Sequence, residues 1–209
     1  MPFISFEGID GSGKTEQVRL LVEHLKSIGR SVLQTKEPDG GQLGTAVRAI
    51  LTNSGLHLAP AEQLLLVSAA RFDHVRSVIQ PALAKGQWVI SDRFIDSTYA
   101  FQVAVSDVDL HRLFRAACDV IVGTTLPALT IILDLPIEVA RDRRERRNGN
   151  LDPTEKTRDF AAIRNGLLAT ARENPERCHV INGDQSPLDV AHDVWLLVEP
   201  LLSNASLTN

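Results

Sequence analysis

Residues 8 to 15 read Gly8-Ile9-Asp10-Gly11-Ser12-Gly13-Lys14-Thr15, a complete match to G-x-x-x-x-G-K-[ST]. In such a loop the backbone N–H groups turn inward around phosphate oxygens, and the positive end of the following helix stands behind them. Lys14 is then placed to reach the β- and γ-phosphates of ATP, and the Thr15 hydroxyl to ligate Mg²⁺. Chance would produce the four fixed positions in roughly one chain per hundred of this length. A GTP switch would need a guanine-reading N-K-x-D stretch, and the sequence contains none. The open question is which group receives the γ-phosphate.

Transfer to a phosphate acceptor brings two polyanions together. The acceptor oxygen is already ionised, so the chemistry needs a cluster of cations rather than a strong base. The sequence supplies arginines on several separate segments. Arg93 follows an apolar run in Ser91-Asp92-Arg93-Phe94, Arg48 and Arg71 lie on predicted helices, and Arg141, Arg143, Arg144, Arg146 and Arg147 crowd one short stretch. The plain alternative for each is a solvated surface charge. Asp92 ends its apolar run where a carboxylate holds Mg²⁺ through water. Asp134 ends Ile131-Ile132-Leu133 and is a rival for that role, or a cap for the helix after Pro136.

The elements that would carry these residues alternate. Strands are expected over Phe3–Glu7, Ser31–Thr35, Trp88–Ser91, Leu129–Leu133 and His179–Ile181. Helices are expected over Thr15–Ile28, Gln42–Leu51, Pro60–Gln80, a region from Ser97 to Val122, Ile137–Arg147, Thr154–Glu173 and Pro187–Leu202. The pattern predicts an α/β fold of the P-loop NTPase type, with a five-stranded parallel sheet and helices on both faces. Ligands of such sheets bind beyond the carboxyl ends of the strands, where the P-loop, Asp92 and Arg93 would gather. With 209 residues the chain reads as a single domain, 1–209. A net charge of −4 argues against a nucleic-acid partner, and no apolar run is long enough for a membrane span. Cys118 and Cys178 form no metal or redox spacing. A cytoplasmic protein is expected.

In order, Phe6 to Thr15, Glu37-Pro38-Asp39-Gly40-Gly41-Gln42-Leu43-Gly44, Ala69 to Val75, Asp92 to Gln102 and Gln185-Ser186-Pro187 resemble the motifs of bacterial thymidylate kinases over nearly the whole chain. The resemblance implies phosphorylation of dTMP to dTDP with ATP and Mg²⁺. It implies that Asp10 meets the deoxyribose 3′-hydroxyl and the acceptor phosphate, that Arg48 and Arg93 hold that phosphate, and that Arg71 reads the thymine O4. Glu37, Pro38, Val67, Thr98 and Gln102 would line the acceptor. Phe101 stands where the family has Tyr and would disfavour a 2′-hydroxyl. Glu155 would lie near the acceptor phosphate and Mg²⁺. The family also implies a homodimer.

One design of the family puts an arginine in the P-loop, and the other supplies arginines from a lid. Ser12 occupies the loop position here, so a segment around 141–155 is read as the lid, with Arg144 and Arg146 as its catalytic arginines. Four departures stand out: Val67 where the family has Phe, Asp39 inserted within the E-P-G-G turn, Val103-Ala104-Val105-Ser106 in place of a Gly- and Arg-containing stretch, and Pro153-Thr154 before Glu155. They leave room for another pyrimidine monophosphate as acceptor. A reading of a different class is an ATP-binding switch whose basic run docks a partner.

Overall fold

Side chains of the central strands alternate between two apolar layers, which is what a parallel sheet covered on both faces demands. The computed structural model describes residues 2–53, 55–148 and 158–204. Strands β1 (Phe3–Glu7), β2 (Val32–Lys36), β3 (Trp88–Asp92), β4 (Leu129–Asp134) and β5 (Cys178–Asn182) form one sheet in the order β2-β3-β1-β4-β5. Every pairing is parallel.

On one face Ile4, Phe6, Ile90, Ile131 and Leu133 pack against α1 (Lys14–Ser27) and α9 (Pro187–Val198). On the other, Phe3 and Val89 meet Val75–Ile79, the π-helical continuation of α3 (Pro60–His74), and α4 (Gln80–Ala84). Ile132 meets α8 (Phe160–Glu173) and a second π-helical turn, Tyr99–Val103. Among the described residues, no helix is long and apolar enough to cross a membrane.

The five expected strands are present with ends moved by one residue at most. The helices depart more, and each departure has a local cause. The region from Ser97 to Val122 is broken: α5 (Ile95–Thr98) and the π-helical turn end at Val103, and α6 begins only at His111 and runs to Ile121. Between them the Ser106 hydroxyl accepts from the Val108 N–H, and Asp109 accepts from the His111 N–H. Such local bonds compete with helical ones.

The helix expected from Thr154 starts at Phe160, because Asp159 caps it by accepting from the Ala162 N–H. Positions 154 to 157 lie outside the described residues. Pro200, which has no N–H to give, divides the last expected helix into α9 and α10 (Pro200–Asn204). Helices α2 (Gly44–Leu51) and α7 (Ile137–Asn148) stand where expected.

Two features of the second face matter for the site. Gly166 lets α8 ride directly on the π-helical turn, since a Cβ there would lie 2.8 Å from the Ala104 Cβ and 3.0 Å from the Ala100 Cα. Beneath, Arg177 grips Asp96 with two bonds of 2.7 and 2.9 Å and donates to Thr130, which is bonded to Ser5. This fully partnered cluster ties α5 to β1 and β4. Both cysteines are free thiols, and burial pushes Cys118 to about 11 and Cys178 to about 12, so neither supplies a thiolate nucleophile.

Candidate active site

The carboxyl ends of β1, β3 and β4 converge on the loop between β1 and α1. Gly8 has a φ of 149° and Gly11 a φ of 93°, values that side chains resist. Space forbids a side chain as well: a Cβ on Gly8 would lie 2.5 Å from the Ser12 Oγ, and one on Gly11 would run into the Ala140 carbonyl of α7. The N-cap Gly13 offers no side-chain acceptor, so the first-turn N–H groups of α1 are left for a ligand. The buried Lys14 ammonium donates to the Gly8 and Ile9 carbonyls at 2.9 and 3.0 Å. Burial pushes its pKa down and Arg93 adds to this. Asp92, Asp10 and Glu7 offset part of the shift, leaving Lys14 at about 8. Thr15 donates its hydroxyl proton to Asp92 at 2.7 Å, so the two expected metal-side oxygens are adjacent.

Arg93 is the one described non-glycine residue with positive φ, at 75°. That strained backbone is held by its N–H on the Phe6 carbonyl and by Ser91, which donates to the Arg93 carbonyl. Its guanidinium is thereby aimed at the P-loop, where it donates to the Gly8 carbonyl (3.1 Å), the Ser97 hydroxyl (3.0 Å) and Asp10 (2.5 Å). Glu7 supports the turn from below by accepting from the Phe94 N–H and the Ser97 hydroxyl. Burial, joined by Asp96, pushes the Glu7 carboxyl up to about 7.

Two adjoining pockets share this centre. The first, a cavity of about 210 Å³, is lined by the residues expected around an acceptor: Pro38, Val67, Arg71, Thr98, Phe101 and Gln102. The second runs along Gly11, Gly13, Lys14, Thr15 and Asp92. Asp10, Glu37, Arg48 and Arg93 line both.

Arg71 is buried and held on three sides: by Glu37 (2.8 Å), the Phe94 carbonyl (3.1 Å) and the Thr98 hydroxyl (2.8 Å). His74 braces Glu37 from behind and is itself bonded to Thr35. Among the described residues the Nη1 of Arg71 has no protein partner, so a donor remains for a ligand in the cavity. Val67 shares the Arg71 face as its spacing of four requires, whereas Phe72 is exposed on another face.

Several sequence expectations need restating. Asp39 engages Arg48 at 2.7 Å and Lys36 at 2.9 Å, so the added charge in the turn holds the very arginine expected at the phosphate. Asp134 neither faces Thr15 nor caps a helix; it pairs with Arg164 through two bonds. Within the basic helix α7, Arg146 is 80 % exposed and lines neither pocket. Arg143 lines the phosphate pocket instead and donates to the Gly183 carbonyl at 2.9 Å. Arg144 is buried, with its guanidinium 4.2 Å over the Phe160 ring and its stem against Gly11. Glu155 lies outside the described residues. Arg158 was not among the expected residues, yet it lines the acceptor pocket and donates to Asp10 at 3.0 Å. It stands outside the basic run and inside the helix expected over Thr154–Glu173, where no motif marks it.

Among known proteins, the family model described as thymidylate kinase matches residues 6–194. The chain is 44% identical over 184 residues to the thymidylate kinase of Caulobacter vibrioides, covering 87% of this chain and 88% of that relative. It is 40% identical over 202 residues to the thymidylate kinase of Rhodopseudomonas palustris, covering 94% and 87%. The crystal structure of thymidylate kinase from Ehrlichia chaffeensis superposes with a TM-score of 0.74 at 34% identity, covering 94% of this chain and 98% of that one. With a parallel five-stranded sheet, a P-loop and a second pocket opening from it, this chain belongs to the thymidylate kinase family.

Proposed function

We propose that this protein transfers the γ-phosphate of ATP to dTMP, giving ADP and dTDP, as one cytoplasmic kinase domain over residues 1–209 with a lid segment around 141–155. The observation that carries this reading is the pair of pockets that meet at Asp10, Glu37, Arg48 and Arg93. An acceptor phosphate seated there lies next to a triphosphate on the P-loop. One of its oxygens attacks the γ-phosphorus. The new P–O bond forms as the β,γ-bridging bond breaks, and that electron pair leaves with ADP. Arg93, pre-aimed by its strained backbone, neutralises the meeting anions, and Lys14 serves the donor phosphates. Arg48 joins Arg93 once it leaves Asp39. Arg144 and Arg143 border the loop from α7, and Arg146 serves only if the lid segment turns it inward.

Mg²⁺ fits the site. The Thr15 hydroxyl and the Asp92 carboxylate are hard oxygen donors 2.7 Å apart on the phosphate pocket. Mg²⁺ takes few protein ligands of this kind beside phosphates and waters. Thr15 would hold the ion directly and Asp92 through water. When bound, the ion neutralises charge on the transferring phosphates.

Base choice follows from Arg71. Its remaining N–H donor suits the O4 carbonyl of thymine and not the amino group of cytosine. Val67, Phe101 and Gln102 surround the base, and Val67 leaves more room beside it than an aromatic ring would. A homodimer completes the reading, supported by the exposed apolar side chains of Leu65 and Phe72 on α3 and Val120 on α6.

The decisive experiment is ADP release with ATP and Mg²⁺ across dTMP, dUMP, dCMP, UMP, CMP, AMP and GMP. dTMP is expected to give the highest kcat/KM. A different preferred pyrimidine would reassign the base pocket, and no acceptor-dependent rate at all would favour an ATP-binding switch. In the same assay Val67→Phe is expected to lower the KM for dTMP about fivefold, the worth of roughly 1 kcal/mol of ring stacking. A raised KM would mean that the space beside Arg71 is already filled. For Lys14, triphosphate oxygens favour the ammonium and restore its ordinary pKa. Calorimetric ATP affinity should therefore stay level between about pH 7 and 8, then fall by up to about tenfold per pH unit above 8. An affinity constant up to about pH 9.5 would contradict that role. Light scattering should give the mass of two chains, and a single-chain mass would remove the dimer.

A further inference from the structure

Asp10 is not paired with one arginine but caught between two. Arg93 donates to its Oδ1 at 2.5 Å from the end of β3, and Arg158 donates to its Oδ2 at 3.0 Å from the turn that leads into α8. Both guanidiniums also lie against the ring of Phe101, at 4.8 Å for Arg93 and 5.6 Å for Arg158. The two cations thus converge on one carboxylate, each on its own oxygen, with one aromatic ring beside both. Through the Asp10 bond Arg158 spends a single N–H. Its Nε and Nη2 have no protein partner among the described residues, and its side chain is 33 % exposed within the acceptor pocket.

Charge gives the same direction. Four arginines and two carboxylates line the acceptor pocket: Arg48, Arg71, Arg93 and Arg158 against Asp10 and Glu37. Arg71 is matched by Glu37, and Arg48 already pairs with Asp39 outside the cavity. At the centre Asp10 faces two guanidiniums alone. Without Arg158 it would face Arg93 alone on the acceptor side, a one-to-one pair, with Lys14 turned to the phosphate pocket. A phosphate monoester carries close to two negative charges at neutral pH. A centre meant to receive it needs a surplus of cations, and Arg158 supplies that surplus.

We propose that Arg158 touches substrate, as a second clamp facing Arg93 that takes the phosphate of the acceptor nucleotide. This rests on the reading of the pocket as a nucleoside monophosphate site. Asp10 is then the resting partner that holds both guanidiniums in the pocket until the phosphate arrives. A fork held in place loses little freedom on binding, which favours a guanidinium over an ammonium here.

The test is calorimetric titration of full-length wild type, Arg158→Ala and Arg158→Lys with dTMP and, separately, with thymidine, which has the base and sugar but no phosphate. Arg158→Ala is expected to weaken dTMP binding about 10- to 100-fold, the range for a lost charge-assisted bond, and to leave thymidine binding within about twofold. Arg158→Lys is expected to recover part of the loss. In turnover the KM for dTMP should rise and the KM for ATP should stay. Unchanged dTMP binding in Arg158→Ala would overturn the proposal. So would an equal loss for dTMP and thymidine, because the residue would then be shaping the pocket and not holding phosphate. If wild type prefers another monophosphate, the thymine reading falls, and the same comparison with that nucleotide and its nucleoside still decides Arg158. If wild type binds no monophosphate, both readings fall together.

Discussion

Everything at this sheet edge depends on a half-buried carboxylate that must stay charged. Burial alone would raise the pKa of Asp10, but Arg93, Lys14 and Arg158 outweigh it and hold the group well below the usual carboxylate range. Because it stays ionised, Asp10 keeps two guanidiniums in place that would otherwise repel each other. Those guanidiniums in turn place the positive charge that anions require. The strain at Arg93, the brace of Glu7 beneath it and the ring of Phe101 beside it all serve that one arrangement.

The same logic recurs around the pocket. Glu37 holds Arg71, Asp39 holds Arg48, and Lys14 leans on two carbonyls of its own loop. Each cation has an internal partner that fixes it in space: Arg71 is held buried beside the base cavity, whereas the exposed Arg48 is free to leave Asp39 for a phosphate. Fully unpaired guanidiniums would be disordered or would drive the elements apart. Permanently paired ones would not bind ligand. A site for polyanions has to sit between these limits.

How much of this could be read from the sequence differs from residue to residue. The central strands were legible because β1, β3 and β4 are short apolar runs closed by Gly8, Asp92 and Asp134, and a fully buried parallel strand leaves no other pattern. The P-loop was legible because its glycines are imposed by backbone geometry. The Asp92–Thr15 pair followed from position alone. The sheet order was not legible, since nothing in a strand says which neighbour it takes. Nor was the facing of the arginines on α7. Ile137, Val139 and Ala140 are its few apolar residues, too few to define which arginines turn inward: of the expected pair, Arg144 lies against Gly11 and Arg146 is exposed, while Arg143 lines the pocket. Arg158 escaped for another reason: its partner is 148 positions away, and short-range pattern carries no trace of such a contact.

Gly166 gives the site a tolerance set from a distance. It bears no functional group and touches neither pocket, yet it fixes how closely α8 lies on the turn that carries Phe101. Arg158 enters from the N-terminal side of α8, so the span between Phe101 and Arg158 is a mechanical dimension of this helix crossing. A single added methyl at Gly166 would act as a shim between two plates, widening the jaw at its far end. The width of the acceptor pocket is therefore set in part by a small residue at a helix crossing, well away from any atom that lines it.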